Sequence, residues 1–272
     1  MYERAAPAPP GAAPGPLWHL DRARTCFIGP LTYNAPHQHG APVFLAGLYG
    51  RFGLRLAGGG WHRVRTAMIP AGVVHELDIG GEPIGVLYIE PTLEGAHTLA
   101  ALTTGATETE GALVAEGGAF TLMRELWEDA GSVAWAGEAL DALIGFGARR
   151  ARRPMDERIA RVLALLEDAA TPSRNVAAAC ALVGLSPHHF QHLFSREVGV
   201  PYRRYRAWGR MRRAIAAVAS GRLLTQAAHE AGFCDQSHFN HDFRRTFGAP
   251  PSWSLQGVRM SGEPARRKPP HG

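Results

Sequence analysis

Two stretches of this chain, 49 residues apart, carry matching residue types at matching positions. Ala179–Gly199 reads ACALVGLSPHHFQHLFSREVG and Ala228–Gly248 reads AHEAGFCDQSHFNHDFRRTFG. Ala179 aligns with Ala228, Phe190 with Phe239, His192 with His241, Phe194 with Phe243 and Gly199 with Gly248. Each copy predicts a short helix, a tight turn and a second helix, the layout of a helix-turn-helix. Small Ala179 and Ala228 let the paired helices approach closely. Ser186 and Asp235 are placed to cap the second helix, and Pro187 suits its first position. Phe190 and Phe194, like Phe239 and Phe243, stand four residues apart and anchor each second helix in a core.

Between these anchors the first copy leaves His188, His189, Gln191, His192 and Arg196. The second leaves Gln236, Ser237, Asn240, His241 and Arg244. These side chains are rich in donors and have neither metal-ligand spacing nor a triad layout, so they suit base edges and phosphates. His238 is expected to bond locally. A long basic helix over Tyr202–Ser220 joins the copies, with Trp208 assigned to the core. Its Arg203, Arg204, Arg206, Arg212 and Arg213 are candidate phosphate contacts, of which Arg203 and Arg206 are the preferred pair.

The charge is divided accordingly. Residues 1–153 hold 12 Arg and no Lys against 15 Asp and Glu, and residues 154–272 hold 17 basic against 9 acidic residues. Net charges of −3 and +8 follow, and they sum to the +5 of the whole chain. An acidic half joined to a basic half points to a sensing or assembling domain followed by a polyanion-binding one.

Gly232-Phe233-x-Asp235-x-Ser237-His238-Phe239-x3-Phe243-x3-Phe247-Gly248-x2-Pro251 resembles the signature of the AraC/XylS family of transcription regulators. Tyr205-x4-Arg210-Met211-x2-Ala214 is similar to that family's connecting helix. The resemblance implies a two-unit DNA-binding domain whose recognition helices enter successive major-groove segments of double-stranded DNA. It also implies a homodimer, with RNA polymerase as a further partner of an activator. Two departures concern sequence preference. His192 and His241 stand where the family commonly has Arg, and Gly199-Val200-Pro201 departs from the usual spacing.

Residues 17–91 read as short strands. Phe52, Leu54 and Leu56 alternate with Arg51, Gly53 and Arg55, while Val73, His75, Leu77 and Ile79 share one face opposite Val74, Glu76 and Asp78. Ile84–Glu90 is an apolar run closed by Pro91. Gly and Pro clusters between these runs fit a small barrel. Helical spacing follows over Leu93–Leu102, Ala119–Ala130 and Ala136–Arg149, with apolar faces available for pairing between two copies. His37-Gln38-His39 and, later, Pro70-Ala71-Gly72-Val73-Val74-His75 are similar to the two motifs of the cupin barrel. No Glu follows His39 at the spacing that barrel uses for a metal. His37, His39 and His75 are therefore expected to line a pocket for a small-molecule effector or to hold a divalent transition metal. No cofactor is required. His62 is expected to face solvent.

The expected organisation is α+β in two domains. A disordered leader (1–16) precedes a cupin-like sensing and dimerisation barrel with flanking helices (17–150). Beyond a basic hinge over Arg149–Pro154 lies an all-α double helix-turn-helix domain (154–256), then a disordered tail (257–272). Apolar stretches fall short of a membrane span, and three scattered cysteines argue against a disulfide framework. Cys180 and Cys234 are expected to be buried. A cytoplasmic, non-enzymatic regulator is the main expectation, with a metal-dependent cupin enzyme fused to a DNA-binding domain as the alternative.

Overall fold

The computed structural model describes residues 15–21, 24–90, 95–148, 155–167, 175–255 and 259–261. The first half begins with β1 (Leu17–Leu20), β2 (Arg24–Pro30), β3 (Tyr33–His37), β4 (Val43–Gly47), β5 (Phe52–Leu56) and β6 (Trp61–Val64). It continues with β7 (Thr66–Ile69), β8 (His75–Asp78) and β9 (Pro83–Ile89), then α1 (Gly95–Ala100). Four short strands follow: β10 (Thr103–Thr104), β11 (Thr107–Thr109), β12 (Ala112–Ala115) and β13 (Gly117–Gly118). α2 (Thr121–Glu128) and α3 (Ala136–Ala148) close the half.

Two main sheets face each other. The smaller runs β3-β8-β5-β6. The larger runs β11-β12-β7-β4-β9-β2-β1 and ends on β14 (Arg259–Ser261), which pairs parallel with β1 while the other pairings are antiparallel. In β4, Val43 and Leu45 point between the sheets and Phe44 and Ala46 point out, yet all four are buried. The outer face lies under α1–α3, where Met123, Leu126, Leu140 and Ile144 meet Phe44, Met68 and Leu87. Covering both faces removes the need for polar alternation, so β4 and β9 read as unbroken apolar runs.

Several sequence expectations change here. Segment 103–118 had no assignment between two helices, and it supplies β10–β13. Glu110 and Gly111, both at positive φ (47° and 82°), make the two-residue loop joining β11 to β12. That backbone is the twist-matched hairpin turn, and Glu-Gly signals it weakly beside Asn-Gly or Asp-Gly. The apolar faces of α1–α3 expected to pair between copies are instead buried on the outer face of the large sheet. Glu76, placed by alternation on the solvent side, is buried because Arg55 Nε donates to it at 2.5 Å and Tyr33 also bonds it. The tail expected to be disordered contains β14, which bonds the edge of β1. The hinge over Arg149–Pro154 and the leader over 1–14 lie outside the described residues.

The second half is helical: α4 (Glu157–Glu167), α5 (Val176–Val183), α6 (Pro187–Val198), α7 (Tyr202–Ala219), α8 (Leu224–Glu230) and α9 (Gln236–Phe247). Local chemistry sets the ends. Asn175 accepts from Ala178 N, Ser186 from His189 N and Asp235 from His238 N, each filling an orphan amide of a first turn. Gly184, Gly199 and Gly248 close α5, α6 and α9 in the left-handed conformation. Phe190, Phe194, Phe239 and Phe243 are fully buried. A single apolar cluster runs from Leu45 and Leu54 between the sheets through Trp208 and Phe247 to Phe190 and Ile159. The two halves share one core.

Candidate nucleic-acid interface and barrel pocket

Caps and anchors fix which face of each second helix is left outward. α6 exposes His188, His189, Gln191, His192 and Arg196, which line an open groove together with Ser195. α9 exposes Gln236, Ser237, His241 and Arg244. Asn240 is half-buried, and its Oδ1 has no partner among the described residues. Gln236 accepts from the Thr225 hydroxyl at 2.8 Å, which ties the start of α9 to α8. On α7, Arg203 and Arg206 are exposed. His238 stays local, its Nδ1 accepting from Cys234 N at 3.4 Å and its Nε2 3.6 Å from Asp242. Cys234, expected inside, is exposed because it sits in the turn ahead of Asp235.

Two arginines leave the list of phosphate contacts. Arg212 reaches into the barrel half, with Nη1 donating to Glu90 Oε1 at 2.7 Å and Nε to Thr25 Oγ1 at 2.8 Å. Arg204 donates to Gln38 Oε1. Glu90 is buried and also accepts from Trp208 Nε1 at 3.0 Å and from the Tyr205 hydroxyl. One carboxylate thereby holds three side chains of α7 against the end of β9. Sequence reasoning did not select Glu90. Its signal was a lone charge ending an otherwise apolar strand ahead of a proline.

The end of α9 closes the mouth of the barrel. Ala35 N donates to Gly248 O at 2.9 Å, and Asn34 Nδ2 donates to Phe247 O at 2.8 Å. A Cβ on Gly248 would lie 2.3 Å from Ala35 O and 2.7 Å from His37 Nδ1, so only glycine allows this approach. Trp18 Nε1 donates to Ser254 O at 2.7 Å just beyond α9. Beneath lies a cavity of about 40 Å³, walled by Leu45, Val86 and Tyr88 from the sheets and by Phe243 and Phe247 from α9.

His37 and His39 line this cavity and His75 lies against them, all three buried, with one ring nitrogen of each within 4.8 Å of the others. His37 Nδ1 is 2.7 Å from Ala35 O and His75 Nδ1 is 3.0 Å from Val73 O. Those carbonyls fix the proton on Nδ1 and leave the lone pair on Nε2. His39 Nε2 lies 3.3 Å from the Tyr88 hydroxyl. Burial lowers the pKa of His75 to about 4. Burial, and then the other imidazoles, hold His37 and His39 well below the ordinary histidine value. Burial also raises the Tyr88 phenol. All three rings are neutral near pH 7, and no carboxylate joins their cluster among the described residues. That set can bind a metal or a donor, but it lacks a carboxylate acid–base pair of the kind an enzymatic reading would use. His62 is half-buried and apart from the cluster.

Residues 179–255 match the family model described as a helix-turn-helix domain. No curated protein matches the chain. Among solved structures, ToxT from Vibrio cholerae in its P21 form is similar with a TM-score of 0.54 at 13% identity, covering 86% of this chain and 98% of its own. Wild-type ToxT from Vibrio cholerae strain SCE256 with bound unsaturated fatty acid gives 0.56 at 13% identity, over 86% and 95%. ToxT from Vibrio cholerae O395 bound to (E)-4-(8-methylnaphthalen-1-yl)but-3-enoic acid gives 0.54 at 13%, over 86% and 99%. At this identity the likeness is one of fold. Residues 179–255 are thus a helix-turn-helix domain, set behind a β-sheet domain in a two-domain fold similar to that of ToxT.

Proposed function

We propose that this chain is a sequence-specific DNA-binding transcription regulator whose DNA-reading half is controlled by what occupies the barrel mouth. The observation that carries the reading is the duplicated unit. Two capped helices, α6 and α9, each bury their phenylalanines and turn amide, imidazole and guanidinium donors outward. Exposed Arg203 and Arg206 lie on the helix between them, where phosphate contacts position a reader without specifying sequence.

Control follows from the seam. The helix that presents Gln236 and His241 at one end closes the barrel with Phe247 and Gly248 at the other. An organic effector of ordinary size needs a pocket of ~300–1,000 Å³, so its entry here requires the end of α9 to lift. A small-molecule effector therefore acts by displacing a recognition helix, with no longer relay needed. ToxT, similar in fold, has been solved with a bound unsaturated fatty acid, which supports this reading. The reading includes a homodimer on two half-sites, and RNA polymerase would be met by the DNA-bound form.

Selection of genomic DNA fragments by purified full-length protein at moderate salt, followed by sequencing, tests the reading. An enriched two-part motif of fixed spacing is expected. Absence of enrichment both alone and with a small-molecule extract of the source cells would sink it.

A further inference from the structure

The cavity is too small for an organic effector and suits a smaller occupant. About 40 Å³ is close to the room of one water or a bare ion. Its polar lining holds the His37 and His39 imidazoles beside Asn34, Tyr88 and Ser254, and the His75 ring packs on the His37 ring at 4.2 Å. His75 Nε2 and His39 Nδ1 are buried without a hydrogen-bond partner among the described residues. The opposite nitrogen of each ring has a neighbour: Val73 O for His75, the Tyr88 hydroxyl for His39, and Ala35 O for His37. Imidazoles steered by a carbonyl or hydroxyl on one nitrogen, with the other turned inward, are how proteins present histidine to a metal. Bonds of ~2.0–2.1 Å in a tetrahedral site put nitrogens ~3.3 Å apart. The present separations, within 4.8 Å, close to that value if each ring moves in by under ~1 Å.

We propose that His37, His39 and His75 bind one divalent transition metal of the zinc class, and that this metal clamps the end of the second recognition helix onto the barrel. The donor set is nitrogen only, which favours zinc, cobalt, nickel or copper over magnesium or calcium. The clamp follows from connectivity. His37 ends the strand that bonds α9 through Asn34 and Ala35. The His39 ring is 5.9 Å from the Phe247 ring and 6.4 Å from that of Trp208. Drawing the imidazoles together moves the strand to which Gly248 is bonded. The control of DNA binding by the metal rests on the regulator reading above, whereas the metal site itself does not.

Full-length, tag-free protein stripped with a chelator is titrated with zinc by calorimetry and with cobalt by absorption, with magnesium as the inert control. One zinc per chain, tetrahedral cobalt bands and no magnesium binding are expected. His37→Gln and His75→Gln should each weaken zinc binding at least ~100-fold, at the upper end of what shell disruption costs. The exposed His229→Gln should not change it. Imidazole ¹⁵N shifts of the zinc-loaded wild type identify the bound rings even if a variant fails to fold. No zinc bound by the wild type, or equal binding by folded His75→Gln, overturns the site. Operator affinity is then measured with and without zinc. A change of at least ~5-fold in wild type, absent in His75→Gln, is the coupling expected. Zinc binding with unchanged affinity overturns the clamp and leaves the site standing. Failure to bind any DNA, with zinc still bound, overturns the regulator reading instead.

Discussion

Gly248 and Gly199 occupy the same position in the two repeats, and both sit at positive φ, 70° and 86°. Their surroundings differ. A Cβ on Gly199 would rest at an ordinary 3.5 Å from Ala71, whereas one on Gly248 would press on Ala35 and His37. Gly199→Ala should therefore cost only the left-handed strain, ~1–2 kcal/mol. Gly248→Ala should cost clearly more and free the end of α9 as well. Denaturant melts of the two variants test this, and equal losses would mean that the seam contact contributes nothing. Among the reading residues, Asn240→Ala should relax preference at one base pair and cost ~1–3 kcal/mol on the preferred site. Arg206→Ala should weaken all sites alike and lower the salt slope by about one. Equal slopes in mutant and wild type would remove Arg206 from the phosphate contacts.

At the scale of elements, α7 has two unlike sides. Arg203 and Arg206 are open to a polyanion, while Tyr205, Trp208 and Arg212 converge on Glu90 at the end of β9. Breaking a buried ion pair by deleting one partner costs ~3–5 kcal/mol, because the other charge is left without compensation. Glu90→Ala should fall in that range, and Glu90→Gln, which still accepts one bond, should lose less. Hydrogen exchange should report faster opening of α7 in both variants. Unchanged protection there would show that the apolar seam alone holds the helix. The duplicated elements need no such partner for their boundaries. Ser186, Asp235 and Asn175 cap their helices from within four residues, which is why α5, α6 and α9 are legible in the sequence nearly to the residue.

The whole molecule should unfold as one unit. Its main apolar cluster crosses from the sheets into the helical half, and β14 returns after α9 to bond β1. Tryptophan emission, which senses Trp18 and Trp208 at the seam, and far-ultraviolet dichroism should therefore give coincident thermal transitions. Two resolved transitions would mean that the shared core is too thin to couple the halves.

Much of this architecture was written locally. Caps, terminal glycines, phenylalanines four apart and the 49-residue offset depend on neighbours a few residues away, so the sequence alone determined the double helix-turn-helix and its outward side chains. It also placed His37, His39 and His75 inside, through motif and alternation. Only the tertiary structure decided that Glu90 meets Tyr205, Trp208 and Arg212, partners 115, 118 and 122 residues away. It alone showed that the last turn of α9 closes the barrel over those histidines. Local periodicity records which face of an element is buried. It carries no record of which distant surface does the burying, since apolar attraction is non-directional and is resolved only when whole elements pack.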